Sequence, residues 1–166
     1  EDWSEKKIEA VAEAIATSAM RFGMLKIDTE KKLVFDMDEA MATEGFTGPY
    51  LLYSYARIQS ILRKAPRGWK REGAERLSHP LERRMLFLLA HYPEIIFTTA
   101  NDYRLSRIPQ YLFDLAKAFA EFYAAIPVLN AQDEATLFGR LTLIESVGEV
   151  LQNGLSLLGI EVVDEM

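Results

Sequence analysis

The sequence predicts an all-α fold, an antiparallel helix bundle that carries a small N-terminal helix-plus-hairpin appendage. Three observations carry that expectation. Apolar residues recur every three or four positions over most of the chain, the period that lays one stripe along a helix. Prolines and glycines fall mostly between those stripes, where helices start and stop. Only one short stretch, Lys31–Asp36, is rich in strand formers. With 166 residues, 49% of them apolar and 27% charged, the chain is long enough to bury a real core.

Taken in order, Ile8, Val11, Ile15, Ala19 and Phe22 form the first stripe, on a helix over 4–22 with Ser4 as its N-cap and acids in its first turns. Lys31–Asp36 reads as one arm of a hairpin with Met24–Ile27. Glu44–Pro49 holds two glycines and a proline and reads as a turn, which sets a domain boundary between 1–46 and 47–166. A long helix follows over 49–64, with Thr47 near its cap and Pro49 in its first turn, where the missing N–H costs nothing. The loop 65–77 is basic and carries Trp69. Pro80 opens a helix to His91, and Pro93 opens another to Tyr103. A helix over 106–125 buries Tyr111, Leu112, Leu115, Phe119 and Phe122, and Pro127 closes it. The last helix, over 133–158, aligns Leu137, Leu141, Ile144, Val147, Leu151 and Leu155, with Gly159 suited to the left-handed position just past its end. The chain has neither 20–50-residue repeats nor low-complexity tracts.

Composition excludes several classes. The longest apolar runs, such as Met85–Ala90, are far shorter than the roughly 20 residues that cross a bilayer. No basic-then-apolar leader opens the chain, and with no cysteine it can form no disulfide or thiolate metal site, so a cytoplasmic setting is expected. The chain opens on Glu1 rather than methionine, the expectation for an excised segment with catalytic parts upstream. Net charge is −6, yet residues 57–84 hold nine basic and three acidic side chains, a local +6 against −12 for the remainder. Screening over about 8–10 Å keeps distant acids from cancelling that segment. It is either a solvated loop or a phosphate-facing patch.

No Gly-rich phosphate loop of the common spacings is present. His79 and His91 are twelve residues apart without a paired ligand; His79, beside Pro80, suits a cap, and His91 a helix end, rather than a metal. Asp36, Asp38 and Glu39 suit the opening of a short helix better than a pair of catalytic carboxylates. The informative segment is 44–64. Tyr50, Tyr53 and Arg57 are spaced by three and four, which lines one helix face, with Arg63 and Lys64 at its end. Rings beside arginines suit unpaired bases, since rings stack and guanidinium groups hold phosphate. The same spacing also suits tyrosines wedged between helices.

The run Glu44-Gly-x-Thr-Gly-Pro-Tyr-x-x-Tyr-x-x-x-Arg57, followed by Ser60-Ile-Leu-Arg-Lys64, resembles the junction of catalytic and anticodon-binding domains in arginyl-tRNA synthetases. The resemblance starts earlier, at Phe35-Asp-Met-Asp-Glu-Ala40, and continues through Tyr111-Leu-Phe-Asp-Leu-Ala116, Phe122-Tyr123-x-x-x-Pro-Val-Leu129, Leu151-x-Asn-Gly-Leu155, Leu158-Gly-Ile-Glu161 and Met166. It spans essentially the whole chain in family order. Related helical domains of cysteinyl-tRNA synthetases lack the Thr-Gly-Pro-Tyr run and the Leu-Gly-Ile ending.

The resemblance implies a C-terminal DALR-type anticodon-binding domain over 47–166, joined to the tail of a catalytic domain over 1–46. It implies that Tyr53 and Arg57 face the anticodon arm of an arginine tRNA, that Tyr123 packs against loop bases, and that Met166 ends the chain near that loop. Tyr50, Arg63 and Lys64 complete the expected RNA-binding set. The His-x-Gly-His and Lys-Met-Ser-Lys motifs that this family uses for ATP are missing, so ATP and magnesium are expected only in an intact enzyme, with no cofactor or catalytic residue in this segment. The sequence departs from the family at four places: asparagine is frequent where Phe46 stands, glutamine at Leu52, histidine at Tyr55, and arginine before the final methionine at Glu165. These departures put polar contacts at those points in doubt. The rival expectation is a helical protein-interaction module indifferent to RNA. A helix-turn-helix DNA reader is disfavoured, because no short glycine-centred turn leads into a basic helix.

Overall fold

Ser4 begins the first helix as expected: its hydroxyl accepts from the Lys7 amide at 3.3 Å, and α1 runs over Glu5–Leu25. The computed structural model describes residues 3–166, and their regular structure is helical throughout. Asp36 caps the short α2 (Met37–Met41), with its carboxylate accepting from the Glu39 amide at 3.0 Å. Thr47 caps α3 (Gly48–Arg63), and its hydroxyl also donates to the Ala42 carbonyl at 2.6 Å. A 3-10 turn over Ala74–Arg76 precedes α4 (Pro80–Asp102), α5 (Arg107–Ala125) and α6 (Glu134–Leu157). Asp133 caps α6, and Gly159 ends it at φ +70° while the Ile160 amide reaches back to the Leu155 carbonyl at 2.9 Å.

Two expectations are corrected. The hairpin does not form, because α1 continues through Leu25 and so takes Met24 and Leu25, half of the expected arm. Residues 31–36 reach α1 through a side chain instead, with the Phe35 ring lying where a Cβ on Gly23 would come within 2.7 Å of it. The helices ending at His91 and starting at Pro93 are one helix, α4, with Pro93 inside it. Proline in a helix interior removes one main-chain bond, and α4 keeps its course because it packs along both α5 and α6. His91 therefore lies in mid-helix, where its Nε2 meets Glu94 at 3.2 Å. His79 caps α4 as expected, its Nδ1 accepting from the Leu81 amide at 3.2 Å.

The long helices alternate in direction. Arg84 near the start of α4 meets Glu121 near the end of α5 at 2.5 Å, so those two are antiparallel. Leu112 of α5 lies against Gly154 of α6, which sets that pair antiparallel too. Tyr50 meets Phe113, and Arg57 meets Tyr123, so α3 and α5 run in the same sense. The result is an up-down bundle of α3–α6 with α1 laid against α3. Phe22 of α1 belongs to the same cluster of buried side chains as Leu51, Ile58, Met85, Leu115, Phe119, Ile144 and Leu151. Gly48 makes the α1–α3 approach possible, since a Cβ there would lie 2.3 Å from the Ser18 carbonyl oxygen.

Candidate nucleic-acid interface

Along α3, residues four apart share a face, and Tyr53 and Arg57 use that spacing to form a local pair. The guanidinium carbon lies 4.5 Å from the Tyr53 ring centroid, and Arg57 donates to the Tyr53 hydroxyl. The same guanidinium lies 5.4 Å from the Tyr123 ring, which α5 delivers from its last turns. Tyr123 is itself stacked on Phe119, with centroids 6.0 Å apart and ring planes at 28°. One cation is thus flanked by two tyrosines from two helices, and both rings reach solvent, with Tyr53 37% and Tyr123 42% exposed. An arginine so placed contacts both rings, and each ring keeps part of its surface in solvent.

This stack lines a groove of about 540 Å³ between the end of α3 and the loop that leaves α5. Arg63 and Lys64 form its cationic rim, Ile126–Asn130 its opposite wall, and Glu165 and Met166 close one end. Ile126 and Val128 are buried and anchor that wall. Glu165 draws the end of the chain inward by pairing with Lys7 of α1 and, at 3.5 Å, with Arg63, whose Nη1 also donates to the Asp164 carbonyl at 3.2 Å. The Lys7 ammonium beside it holds the Glu165 carboxyl below the usual carboxylate range, with Arg63 adding to the effect.

Six of the seven residues expected to bind RNA therefore meet in one groove: Tyr53, Arg57, Arg63, Lys64, Tyr123 and Met166. Tyr50 does not line it. Its ring is half-buried, edge-on to Phe113 at 5.7 Å, and burial pushes its phenol above the ordinary tyrosine pKa. The basic segment also divides. Arg71 is held by Glu145 at 2.6 Å and by Glu149, both on α6, and Arg84 by Glu121, so these cations serve the bundle and not the rim. Of the departures from the family pattern, Leu52 and Tyr55 are buried, and Phe46 sits edge-on between Phe22 and Phe113 at 5.1 Å from each, so those three contribute packing. Glu165 alone lies in the groove. Sequence reasoning left 126–130 out of the expected RNA-binding set, although Pro127-Val-Leu129 stood in the family run.

Among the described residues no helix is long and apolar enough to cross a membrane, and no cluster of three or more His, Asp or Glu side chains is placed to hold a metal ion.

The chain is thus an all-helical up-down bundle that presents an aromatic–guanidinium stack in a groove with a cationic rim. Residues 51–166 match the DALR anticodon binding domain. The chain belongs to that family. It is 42% identical over 167 residues to the arginine–tRNA ligase of Bdellovibrio bacteriovorus, covering 99% of this chain and 29% of that protein. It is 40% identical over 165 residues to the arginine–tRNA ligase of Clostridium kluyveri, covering 98% of this chain and 29% of that protein. The chain thus spans less than a third of the length of these curated relatives. Among solved structures it is similar to Thermus thermophilus arginyl-tRNA synthetase, at a TM-score of 0.90 and 35% identity over 99% of this chain and 28% of that one. The arginyl-tRNA synthetase of Plasmodium falciparum shares the fold, at a TM-score of 0.83 and 23% identity over 96% of this chain and 28% of that one.

Proposed function

We propose that this chain is the anticodon-gripping part of an arginine–tRNA ligase and that its groove receives the anticodon stem-loop of an arginine tRNA. The observation that carries the proposal is the Tyr53–Arg57–Tyr123 stack, solvent-reaching and rimmed by Arg63 and Lys64. Two effects would act together. The cations neutralise phosphates and release counterions, which makes affinity fall with salt. The exposed rings then stack on splayed loop bases, at about 1–3 kcal/mol for each base. Residues 1–46 would be the tail of the catalytic domain and 47–166 the RNA-binding unit. ATP and magnesium would be handled by the remainder of the enzyme, in the cytoplasm, where the gripped tRNA presents its acceptor end for arginine transfer. DNA and membranes have no part in this scheme.

The test is fluorescence anisotropy with a labelled anticodon stem-loop of an arginine tRNA. Affinity should fall steeply with salt, and Tyr123→Ala should weaken binding by about ten-fold, the loss of one stacked base. A flat salt response together with an unchanged Tyr123→Ala affinity returns the domain to a protein-binding role.

A further inference from the structure

A buried ion pair lies behind the groove, and its chemistry is not used by the stack. Glu82 sits in the first turn of α4 with its side chain only 2% exposed. Its Oε2 accepts from the amides of Ser78 and His79, both at 2.9 Å, which closes the helix N-terminus. Its Oε1 accepts from Arg140 Nε of α6 at 2.8 Å. Burial alone would push the Glu82 carboxyl up, but the Arg140 guanidinium and those two amides hold it below its ordinary value. A desolvated carboxylate of this kind demands its partner, so Arg140 is fixed in place.

The other arm of Arg140 points at the groove. Its Nη1 donates to the Pro127 carbonyl at 3.0 Å. The segment 127–132 has no regular structure beyond a turn at 129–130, and the Arg140 bond ties its backbone to α6. The 126–130 wall is therefore held by the buried Ile126 and Val128, by the partly buried Leu129, and by one charge-assisted bond whose donor is locked by Glu82.

We propose that Arg140 is a positioning residue of the anticodon groove, fixing the 126–130 wall from behind through Pro127, with Glu82 as its anchor. The inference rests on the groove being the RNA site. A stacking site loses affinity when one wall is free to drift, because the order then has to be supplied on binding. Arginine suits the task because its planar fork serves two acceptors at a fixed angle, whereas lysine offers one point charge.

The experiment uses the full chain and the labelled anticodon stem-loop. Arg140→Lys keeps the charge beside Glu82 but surrenders the fork; with folding verified by circular dichroism, its affinity should fall about ten-fold, the loss of one charge-assisted hydrogen bond. The salt slope should not change, since Arg140 is assigned no phosphate, whereas Arg63→Gln should lower that slope by about one. The double variant Glu82→Gln/Arg140→Gln leaves no uncompensated buried charge and should show the same loss. Either variant binding like the parent while folded overturns the positioning role. So does hydrogen exchange at 128–132 that is no faster in free Arg140→Lys than in the free parent chain. Tyr123→Ala separates the two readings: if it weakens binding and Arg140→Lys does not, the groove stands and only the positioning role is lost.

Discussion

Glu165 occupies the Arg63 guanidinium from within the proposed RNA groove. It also engages Lys7, and the Lys7 ammonium holds its carboxyl below the usual range, so it is an anion at neutral pH. If the groove takes RNA as proposed, an incoming phosphate would compete with it for the Arg63 guanidinium. Exposed ion pairs are screened by solvent and contribute little, so relieving this one has a modest effect. Glu165→Gln should tighten stem-loop binding by about two- to five-fold at low salt, and the gain should vanish as ionic strength rises. Titrations of both proteins at two salt concentrations check this; weaker binding by Glu165→Gln would instead assign Glu165 a direct part in holding the RNA. The residues of the stack were legible in the sequence for different reasons. Tyr53 and Arg57 follow from a four-residue spacing, which needs only a helix. Tyr123 needed the family resemblance, because nothing local shows that α5 ends beside α3. Tyr50 was misplaced among them, since spacing along α3 does not reveal that Phe113 covers its first turn.

At the scale of elements, the basic loop between α3 and α4 is seated by two glycines. Gly73, at φ +81°, and Gly139 of α6 bring their main chains together: a Cβ on Gly139 would lie 2.4 Å from the Gly73 carbonyl oxygen. Gly139→Ala therefore sets two effects against each other. Alanine is the better helix former by about 1 kcal/mol, but its methyl meets rigid backbone, and forced overpacking costs about 1–3 kcal/mol. The clash should win, with net destabilisation of about 1–2 kcal/mol in denaturant unfolding; a Gly139→Ala protein more stable than the parent would show that the loop shifts freely. The helical period, the caps at Ser4, Asp36 and Thr47, and the end at Gly159 were all readable, because each is decided by neighbours within a few residues. The two misjudged elements were decided from further away. Pro93 stays inside α4 because neighbouring helices hold both sides of it, and Lys31–Asp36 finds no partner strand because α1 outruns its own apolar stripe by three residues.

For the whole molecule, stability against pH follows from two sets of shifted groups. Asp28, Glu82, Asp133 and Glu165 all titrate below their ordinary values when folded. Their contribution is complete above the unfolded carboxylate range near about 4 and is lost as pH falls through the folded values. Tyr50, Tyr55, Tyr92 and Tyr111 titrate above theirs, because burial disfavours the phenolate. Their contribution is complete below the unfolded tyrosine value near about 10 and is lost as pH rises above it. Unfolding free energy should therefore be level between about pH 5 and 9 and fall on both sides. Tyr111 dominates the alkaline side: it is buried, and its hydroxyl donates to the Leu88 carbonyl at 2.8 Å, tying α5 to α4. Tyr111→Phe should cost about 1 kcal/mol at neutral pH through that lost bond, yet lose less than the parent between pH 10 and 11, because the group whose proton the fold guards is gone. Urea unfolding of both proteins at pH 7 and pH 11 measures the two differences, and an equal alkaline loss in both would mean that another buried tyrosine carries it.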